Sequence, residues 1–308
     1  MQRRLVVAIN PNASFGRASD AGPRTVELLR AAGHEVRPLV APSYALLLER
    51  AQEAIADAPD AFVVVGGDGM VHLGVAALDG TDIPLGLIPV GTGNDAALGF
   101  DIPQHRVDDA VVLLLAALER GGIRVDTGLA TWTEDGVRHR RRFLGAVSCG
   151  FDAIVNERAN AMRWPKGASR YTIALTRELA RLRPIRYRVE WDGGVIEQAG
   201  ALVSVANNRS IGGGMRIVPE ASMTDGLLDL FLVEDLGRIA FLRLYPLVFS
   251  GRHVSDPRVT ILRTRRARVE AAGVVAYADG ERLGPLPIDV EIEPGSLRVL
   301  AAGGPGHP

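Results

Sequence analysis

The chain has 308 residues, 47% hydrophobic and 23% charged, with a formal net charge of −1; this suits two domains of roughly 100–200 residues each, and the near-zero charge removes any global field that would draw in nucleic acid. Cys149 is the only cysteine, which excludes an intrachain disulfide and a cysteine zinc cluster and fits a reducing cytosol. Lys166 is the only lysine, so no GxxxxGK[ST] phosphate loop exists and a P-loop kinase is excluded.

From the N-terminus, Leu5 to Ile9 is a short apolar strand, which Asn10-Pro11 stops too early for the core of a signal peptide. Ala21 to Ala32 reads as a helix ending at Gly33, His34 to Val40 as a strand, and Tyr44 to Ala56 as a helix. Ala61 to Val65 is a buried strand running into Gly66-Gly67-Asp68-Gly69, followed by a helix over Val71 to Leu78. Pro84 to Ile88 is a strand running into Pro89-Val90-Gly91-Thr92-Gly93-Asn94-Asp95, and Asp108 to Arg120 is a helix. Such strand–loop–helix repeats predict a parallel sheet covered by helices.

After Gly122 the pattern changes. Ile123 to Thr133, Arg141 to Cys149, Arg186 to Trp191, Gly200 to Ala206, Leu227 to Val233, Arg258 to Val269 and Val274 to Ala278 read as strands. Only Ala153 to Arg163 and Tyr171 to Leu182 read as helices among them, which predicts an antiparallel β-sandwich. The expected domains are therefore 1–122 and 123–289. Val290 to Ala301 is a last pair of short strand-like pieces, so that 290–308 can return to the first domain, and the Gly/Pro-rich tail from Gly303 is expected to fray. Leu236 to Gly251 mixes apolar residues with Arg238 and Arg243 and reads as an amphipathic helix packed on the core; the other reading is a segment at a bilayer interface. Arg163-Trp164-Pro165-Lys166 is a second candidate for interfacial contact. No apolar run reaches the length of about 20 residues that a spanning helix needs.

Chemistry concentrates in the two glycine-rich loops, each between a buried strand and a helix. The glycines of Gly66-Gly67-Asp68-Gly69 permit a sharp turn and close approach to a ligand, and the following helix N-terminus offers free N–H groups to phosphate. Asp68 suits a Mg²⁺ or a ribose better than a bare phosphate. In the second loop Gly91 repeats the turn, Thr92 and Asn94 can hydrogen-bond a nucleotide, and Asp95 adds a second carboxylate. Both loops lie where ligands of doubly wound sheets bind, at the carboxyl ends of strands. The plainer reading is a pair of ordinary tight turns.

Gly66-Gly67-Asp68-Gly69 resembles the GGDGT motif of the superfamily of diacylglycerol, sphingosine, ceramide and NAD kinases, with Met70 in place of Thr. Pro89 with Gly91 to Asp95 resembles the PxGTxND pattern of its lipid-kinase branch, and Asn10-Pro11-Asn12-Ala13-Ser14-Phe15-Gly16 looks like the NPxSGxG loop, with Phe15 replacing a glycine. The resemblance extends over nearly the whole chain. It implies a Rossmann-like α/β catalytic domain followed by a β-sandwich, with ATP held around Asn10, Ser14 and Asn94 and Mg²⁺ held by Asp68 with Asp95 and Glu281. Ala278-Asp279-Gly280-Glu281 resembles the family's DGE motif, which implies Asp279 as the general base; the alternative is an Asp-Gly hairpin turn. Pro219 to Asp229 resembles a stretch that implies a structural metal on Asp225 and the carbonyls of Ser222 and Leu227, hard oxygen ligands that suit Mg²⁺ or Ca²⁺; here too an Asp-Gly turn is the alternative. Asn207-Asn208 and Gly212-Gly213-Gly214 resemble a stretch near the lipid hydroxyl.

The resemblance thus implies a cytoplasmic ATP-dependent lipid kinase, peripherally and transiently at a membrane, that takes diacylglycerol or another lipid alcohol. Its members are often dimers, although no interface pattern is legible here. An NAD kinase and a non-catalytic nucleotide- or lipid-binding module are the competing classes; the Asn94-Asp95 and Asp279-Gly280-Glu281 patterns count against the first.

Overall fold

The computed structural model describes residues 1–10, 20–162, 168–181 and 183–302. Ser14, Phe15 and Arg163 to Lys166 lie outside the described residues. The chain divides into two compact units, Met1–Asp126 with Gly295–Pro308 and Thr127–Pro294, where the sequence pattern changes near residue 122 and again near 290.

In the first unit, β1 (Arg4–Ile9), β2 (Glu35–Leu39), β3 (Ala61–Gly66) and β4 (Leu85–Pro89) form a parallel sheet in the order β2-β1-β3-β4. Helices α1 (Ala21–Ala31), α2 (Tyr44–Ala56), α3 (Asp68–Ala77), α4 (Asp95–Gly99) and α5 (Val107–Arg120) connect these strands or follow them. Every residue of β3 is buried, as expected of an inner strand of a parallel sheet. Helix α5 buries Ala110, Val111, Leu114, Ala117 and Leu118, a single stripe at helical spacing, and ends at Gly121 in the left-handed conformation. The chain leaves β1 for β2 on one side, while β3 lies on the other. The switch point therefore falls between β1 and β3, whose carboxyl ends are Asn10 and Gly66.

The second unit is antiparallel. Its strands are β5 (Ile123–Glu134), which enters from the first unit, β6 (Val137–Phe143), β7 (Ala146–Gly150), β8 (Ile185–Trp191), β9 (Gly194–Ala206), β10 (Leu228–Glu234), β11 (Val259–Thr264), β12 (Arg266–Glu270), β13 (Val275–Ala278), β14 (Glu281–Pro285) and β15 (Ile288–Val299). They run in the order β14-β13-β7-β9-β8-β12-β15, with β10 beside β9, β11 beside β10 and β6 beside β5. The end of β15 lies parallel to β4, with Val299 beside Leu85. Helices α6 (Phe151–Ala161), α7 (Ala168–Ala180) and α8 (Arg238–Val248) pack on one face.

Strand alternation builds two cores from one sheet. Leu228, Leu230 and Leu232 of β10 join Val203, Val205 and Val147 in the sandwich, while Phe231 and Val233 point the other way, to Phe151, Val155 and Phe241 on the helices. Because both its faces are covered, β10 carries four consecutive apolar residues, Leu230 to Val233.

Several expected boundaries move. Helix α3 starts at Asp68 rather than Val71, so the loop motif forms its first turn. Arg141 to Cys149 is two strands broken at Leu144-Gly145, Arg258 to Val269 is two strands broken at Arg265, and the two C-terminal pieces form the single strand β15. Strand β14 and the short α4 carry too little apolar pattern to have been anticipated. Leu236 to Gly251 contains α8, whose inner face packs on the core. Among the described residues, no helix is long and apolar enough to cross a membrane.

Candidate active site

The two glycine-rich loops are built against each other. A Cβ on Gly91 would lie 2.3 Å from the Gly67 Cα, and one on Gly67 would lie 2.9 Å from the Gly91 Cα. Both distances are to backbone, which cannot swing away, so neither position accepts a side chain. The Val90 N–H donates to the Gly66 carbonyl (2.9 Å), and Asp68 Oδ1 accepts from the Ala96 N–H at the start of α4 (3.3 Å). Asn94 is left-handed (φ 55°) and buried. Its Oδ1 accepts from the Gly91 N–H (2.9 Å), and its Nδ2 donates to the Gly91 carbonyl (3.0 Å) and to Gln104 Oε1 (3.3 Å). The amide expected to meet a nucleotide is therefore engaged inside its own loop. In this structure the amide shapes the loop around Gly91.

The other predicted residues of the first unit lie in or beside the same two loops. Asn10 follows β1 and donates its N–H to the Val65 carbonyl (3.2 Å), which places it beside the first loop. Thr92 is exposed, Asp68 is half-buried in the first turn of α3, and Asp95 is buried in the first turn of α4. Among the described residues, nothing beyond its own turn lies within 4 Å of the point where a Cβ on Gly69 would sit, so that side of Gly69 is open. Met70, where the resembled motif has Thr, is buried against Gly66 and fills the space under the turn.

In the second unit, Asp279 holds a strand break together. Its carboxylate accepts three backbone N–H groups, from Leu144 (2.9 Å, Oδ2), Gly145 (2.9 Å, Oδ1) and Ala146 (3.1 Å, Oδ1). The carbonyls of the same segment are taken from Asn207-Asn208. Asn207 Nδ2 donates to the Leu144 carbonyl (2.9 Å), and the N–H groups of Asn207 and Asn208 donate to the Gly145 carbonyl (2.8 and 3.0 Å). Asp279 and Gly280 have φ of 50° and 83° and form the two-residue turn between β13 and β14, as the hairpin reading requires. The two readings of this motif are thus compatible: the turn presents the carboxylate. A carboxylate has about four lone-pair sites and three are occupied, which leaves one for a hydroxyl proton. Glu281, the next residue after the turn, is exposed.

At the expected metal position, Asp225 Oδ1 accepts from the Leu227 N–H (3.1 Å), and Ser222 Oγ lies 3.2 Å from Thr224 Oγ1. Arg263 approaches Asp225 (3.9 Å) and the buried Asp229 (3.8 Å). Burial pushes the Asp229 carboxyl up to about 6; Arg263 opposes the rise, and Asp225 and Glu220 add to it. Arg263 thus already meets two carboxylates at this position, and no three acidic, His or Cys side chains converge on a metal position among the described residues. A hard cation here would have Asp225 as its one carboxylate, with the carbonyls of Ser222 and Leu227 as the resemblance implies.

The sequence did not reveal an apolar slot between the helices and the sheet of this unit, lined by Phe151, Asp152, Leu202, Ser204, Phe231 and Phe241 among others. Its volume is about 80 Å³, so it is narrow. Asp152 Oδ1 and Ser204 Oγ are buried there without a hydrogen-bond partner. Burial pushes the Asp152 carboxyl up, against hydrogen bonds from Ser148 and from the Ala153 and Asp152 N–H groups. The signal available in the sequence was a carboxylate directly after the apolar strand ending at Gly150. Burial also pushes the Cys149 thiol and the Tyr187 phenol up, and neither group is ionised at neutral pH.

Comparison with known proteins follows the same division. Residues 4–130 match the diacylglycerol kinase catalytic domain, and residues 145–301 match the YegS C-terminal NAD kinase beta sandwich-like domain. The chain is 38% identical over 294 residues to a diacylglycerol kinase of Mycobacterium tuberculosis, covering 93% of this chain and 88% of that one. Its fold is similar to that of a crystallised diacylglycerol kinase from Bacillus anthracis, with a TM-score of 0.70, 20% identity and coverage of 97% of each chain. Yeast NADH kinase in complex with NADH is more distant, with a TM-score of 0.57 and 13% identity over 97% of this chain and 82% of that one.

Two outcomes follow for stability. Gly67→Ala should lose about 3 kcal/mol or more, because backbone must move to admit the Cβ, whereas Gly69→Ala should stay within about 0.5 kcal/mol of wild type; equal denaturation midpoints for the two variants would refute the backbone contact. The folded chain keeps the Asp152 proton that the unfolded chain releases in the ordinary carboxylate range. Stability at this site is therefore fully present below that range and falls as pH rises through it toward the raised folded value. Relative to wild type, Asp152→Asn should gain in denaturation midpoint as pH rises above the ordinary carboxylate range; a difference that does not change with pH would show that burial does not govern this carboxyl.

Proposed function

We propose that this chain, which belongs to the diacylglycerol kinase-like family of lipid kinases, transfers the γ-phosphoryl group of ATP to the hydroxyl of diacylglycerol, giving ADP and phosphatidic acid. The observation that carries the reading is the loop pair at the switch point of the parallel sheet, with the open backbone of Gly69 at the positive end of α3. ATP phosphates lie against that helix end, beside Asn10 and Thr92. The carboxylates Asp68 and Asp95 would be the protein's oxygen donors to Mg²⁺, which usually keeps several waters and needs only one or two carboxylates besides phosphate. When bound with the nucleotide, Mg²⁺ supplies charge neutralisation on the phosphates.

The lipid oxygen attacks the γ-phosphorus in line, the bond from that phosphorus to the β–γ bridging oxygen breaks, and the hydroxyl proton passes to the remaining lone-pair site of Asp279. The three backbone N–H bonds hold this carboxylate in one orientation, so it can position the hydroxyl as well as accept its proton. Most of the rate enhancement comes from positioning and charge neutralisation, as in other phosphoryl transfers. The narrow apolar slot of the second unit accepts an acyl chain by widening around it. The names of the relatives favour diacylglycerol over a sphingoid base or another lipid alcohol.

The test is ATP-dependent phosphorylation of a lipid panel in mixed micelles, with NAD as a separate acceptor. Diacylglycerol should be phosphorylated, and transfer to NAD alone would overturn the reading. Asp279→Asn should abolish turnover and also lower stability by about 1–3 kcal/mol, because its NH₂ would face the Leu144 N–H, donor against donor; more than a tenth of wild-type turnover in that variant would remove the base role. Met215→Trp, which fills the slot from a half-buried flexible position, should raise the KM for long-chain diacylglycerol about tenfold and leave that for short chains unchanged. Equal effects on both would place the acyl chain elsewhere.

A further inference from the structure

Helix α8 is apolar on both sides, but the protein covers only one. Phe241, Leu244, Tyr245 and Val248 face inward, onto the helix core and the narrow slot. Ile239, Leu242 and Phe249 are 69%, 58% and 47% exposed. At 100° per residue, these three and Pro246 fall within an arc of about 80°, with Arg238 at one edge and Arg243 at the other. Arg252 and the exposed Val254 follow on the adjoining 3-10 turn. A helix that is apolar all round is ordinarily buried on every side, and single exposed apolar side chains need no explanation. Four of them on one short segment, among ten exposed large hydrophobic residues in the described part of the chain, form a patch.

Arginines flank the patch, and Asp256, which lines the groove beside it, is paired with Arg258. Arg238, Arg243 and Arg252 are exposed and make no ion pair among the described residues, whereas Arg258 is held bidentately by Asp256. Arg238 and Arg243 line a surface groove of about 720 Å³ together with Ile239, Ala240, Leu244 and Leu247. The exposed carboxylates nearby are Glu234 and Asp235, which precede the helix, and Glu234 acts on Arg258. Unpaired guanidinium groups on both edges of an apolar arc match a surface with anionic headgroups above hydrocarbon.

We infer that the outer face of α8 with the following 3-10 turn is the surface by which this protein docks on an anionic phospholipid bilayer, with Ile239, Leu242 and Phe249 inserted to the acyl boundary and Arg238, Arg243 and Arg252 on headgroup phosphates. The choice of a bilayer rests on the lipid-kinase reading. The same helix lines the slot with its inner face, so docking places the slot wall directly under the membrane surface, where an acyl chain can pass from one apolar phase to the other.

The test is sedimentation of the full chain with phosphatidylcholine vesicles, with and without phosphatidylglycerol. Wild type should bind the anionic vesicles, and binding should fall as salt is raised. The combined Arg238→Ala, Arg243→Ala and Arg252→Ala variant should bind roughly a hundredfold more weakly, Ile239→Ser with Leu242→Ser should also lose binding, and Val195→Ser, which alters an exposed apolar residue elsewhere, should not. All should phosphorylate a short-chain, monomeric diacylglycerol at the wild-type rate. Undiminished binding of the arginine variant, or wild-type binding that ignores vesicle charge, would overturn the docking face while leaving the kinase reading intact. Vesicle binding that follows the predicted pattern without phosphorylation of any lipid would do the reverse. If the variants instead turned a dimer into monomers with vesicle binding unchanged, the face would be an interface between two copies and the inference would fall.

Discussion

The backbone N–H groups of Leu144, Gly145 and Ala146 all end on the carboxylate of Asp279, and the carbonyls of Leu144 and Gly145 end on Asn207 and Asn208. A strand broken inside a sheet leaves polar backbone that must find partners, since each unmet group costs about 1–3 kcal/mol. Here the partners come from two distant segments, so the β6–β7 break, the β13–β14 turn and the end of β9 are held in one arrangement. The carboxylate that the proposed chemistry requires is also the one that the fold requires. That coupling keeps its orientation fixed, and it means that a substitution there reports on structure and on chemistry together.

The first unit uses a contact with no polar group in it. Gly67 and Gly91 bring two backbones closer than any side chain allows, and the contact aligns the N-terminal ends of α3 and α4. Asp68 then reaches from one loop to the first turn of the other helix. Glycine in such loops is usually read as room for a ligand; at these two positions it is room for the neighbouring loop, and Gly69 alone keeps its open side.

The sheet of the second unit supports two cores because β10 is buried on both faces. The sandwich side is a closed packing of strands. On the other side, α6, α7 and α8 leave a narrow slot with a buried carboxyl at one position and apolar side chains around most of the rest. An interior that keeps an unpartnered polar oxygen in an apolar setting costs stability unless a ligand meets it, which is the usual mark of a binding site rather than of a core.

The sequence by itself determined most of the local order: the alternation of strand and helix up to residue 122, the strand-rich remainder, and the two loops, because apolar period and glycine punctuation are properties of neighbouring residues. It also carried the family, through Gly66 to Gly69, Gly91 to Asp95 and Asp279 to Glu281. Only the tertiary structure decided what those residues touch. It turned Asn94 inward to Gly91, placed Asp68 against α4, split Arg141 to Cys149 at the segment that Asp279 holds, and set Asp152 in the slot. Each of these depends on a partner from about 30 to more than 100 positions away or on a left-handed backbone residue, and neither leaves a trace in the periodicity of the local chain. For the same reason α8 was legible as an amphipathic helix, while which of its sides the protein would cover was settled only by the packing of β9, β10 and α6.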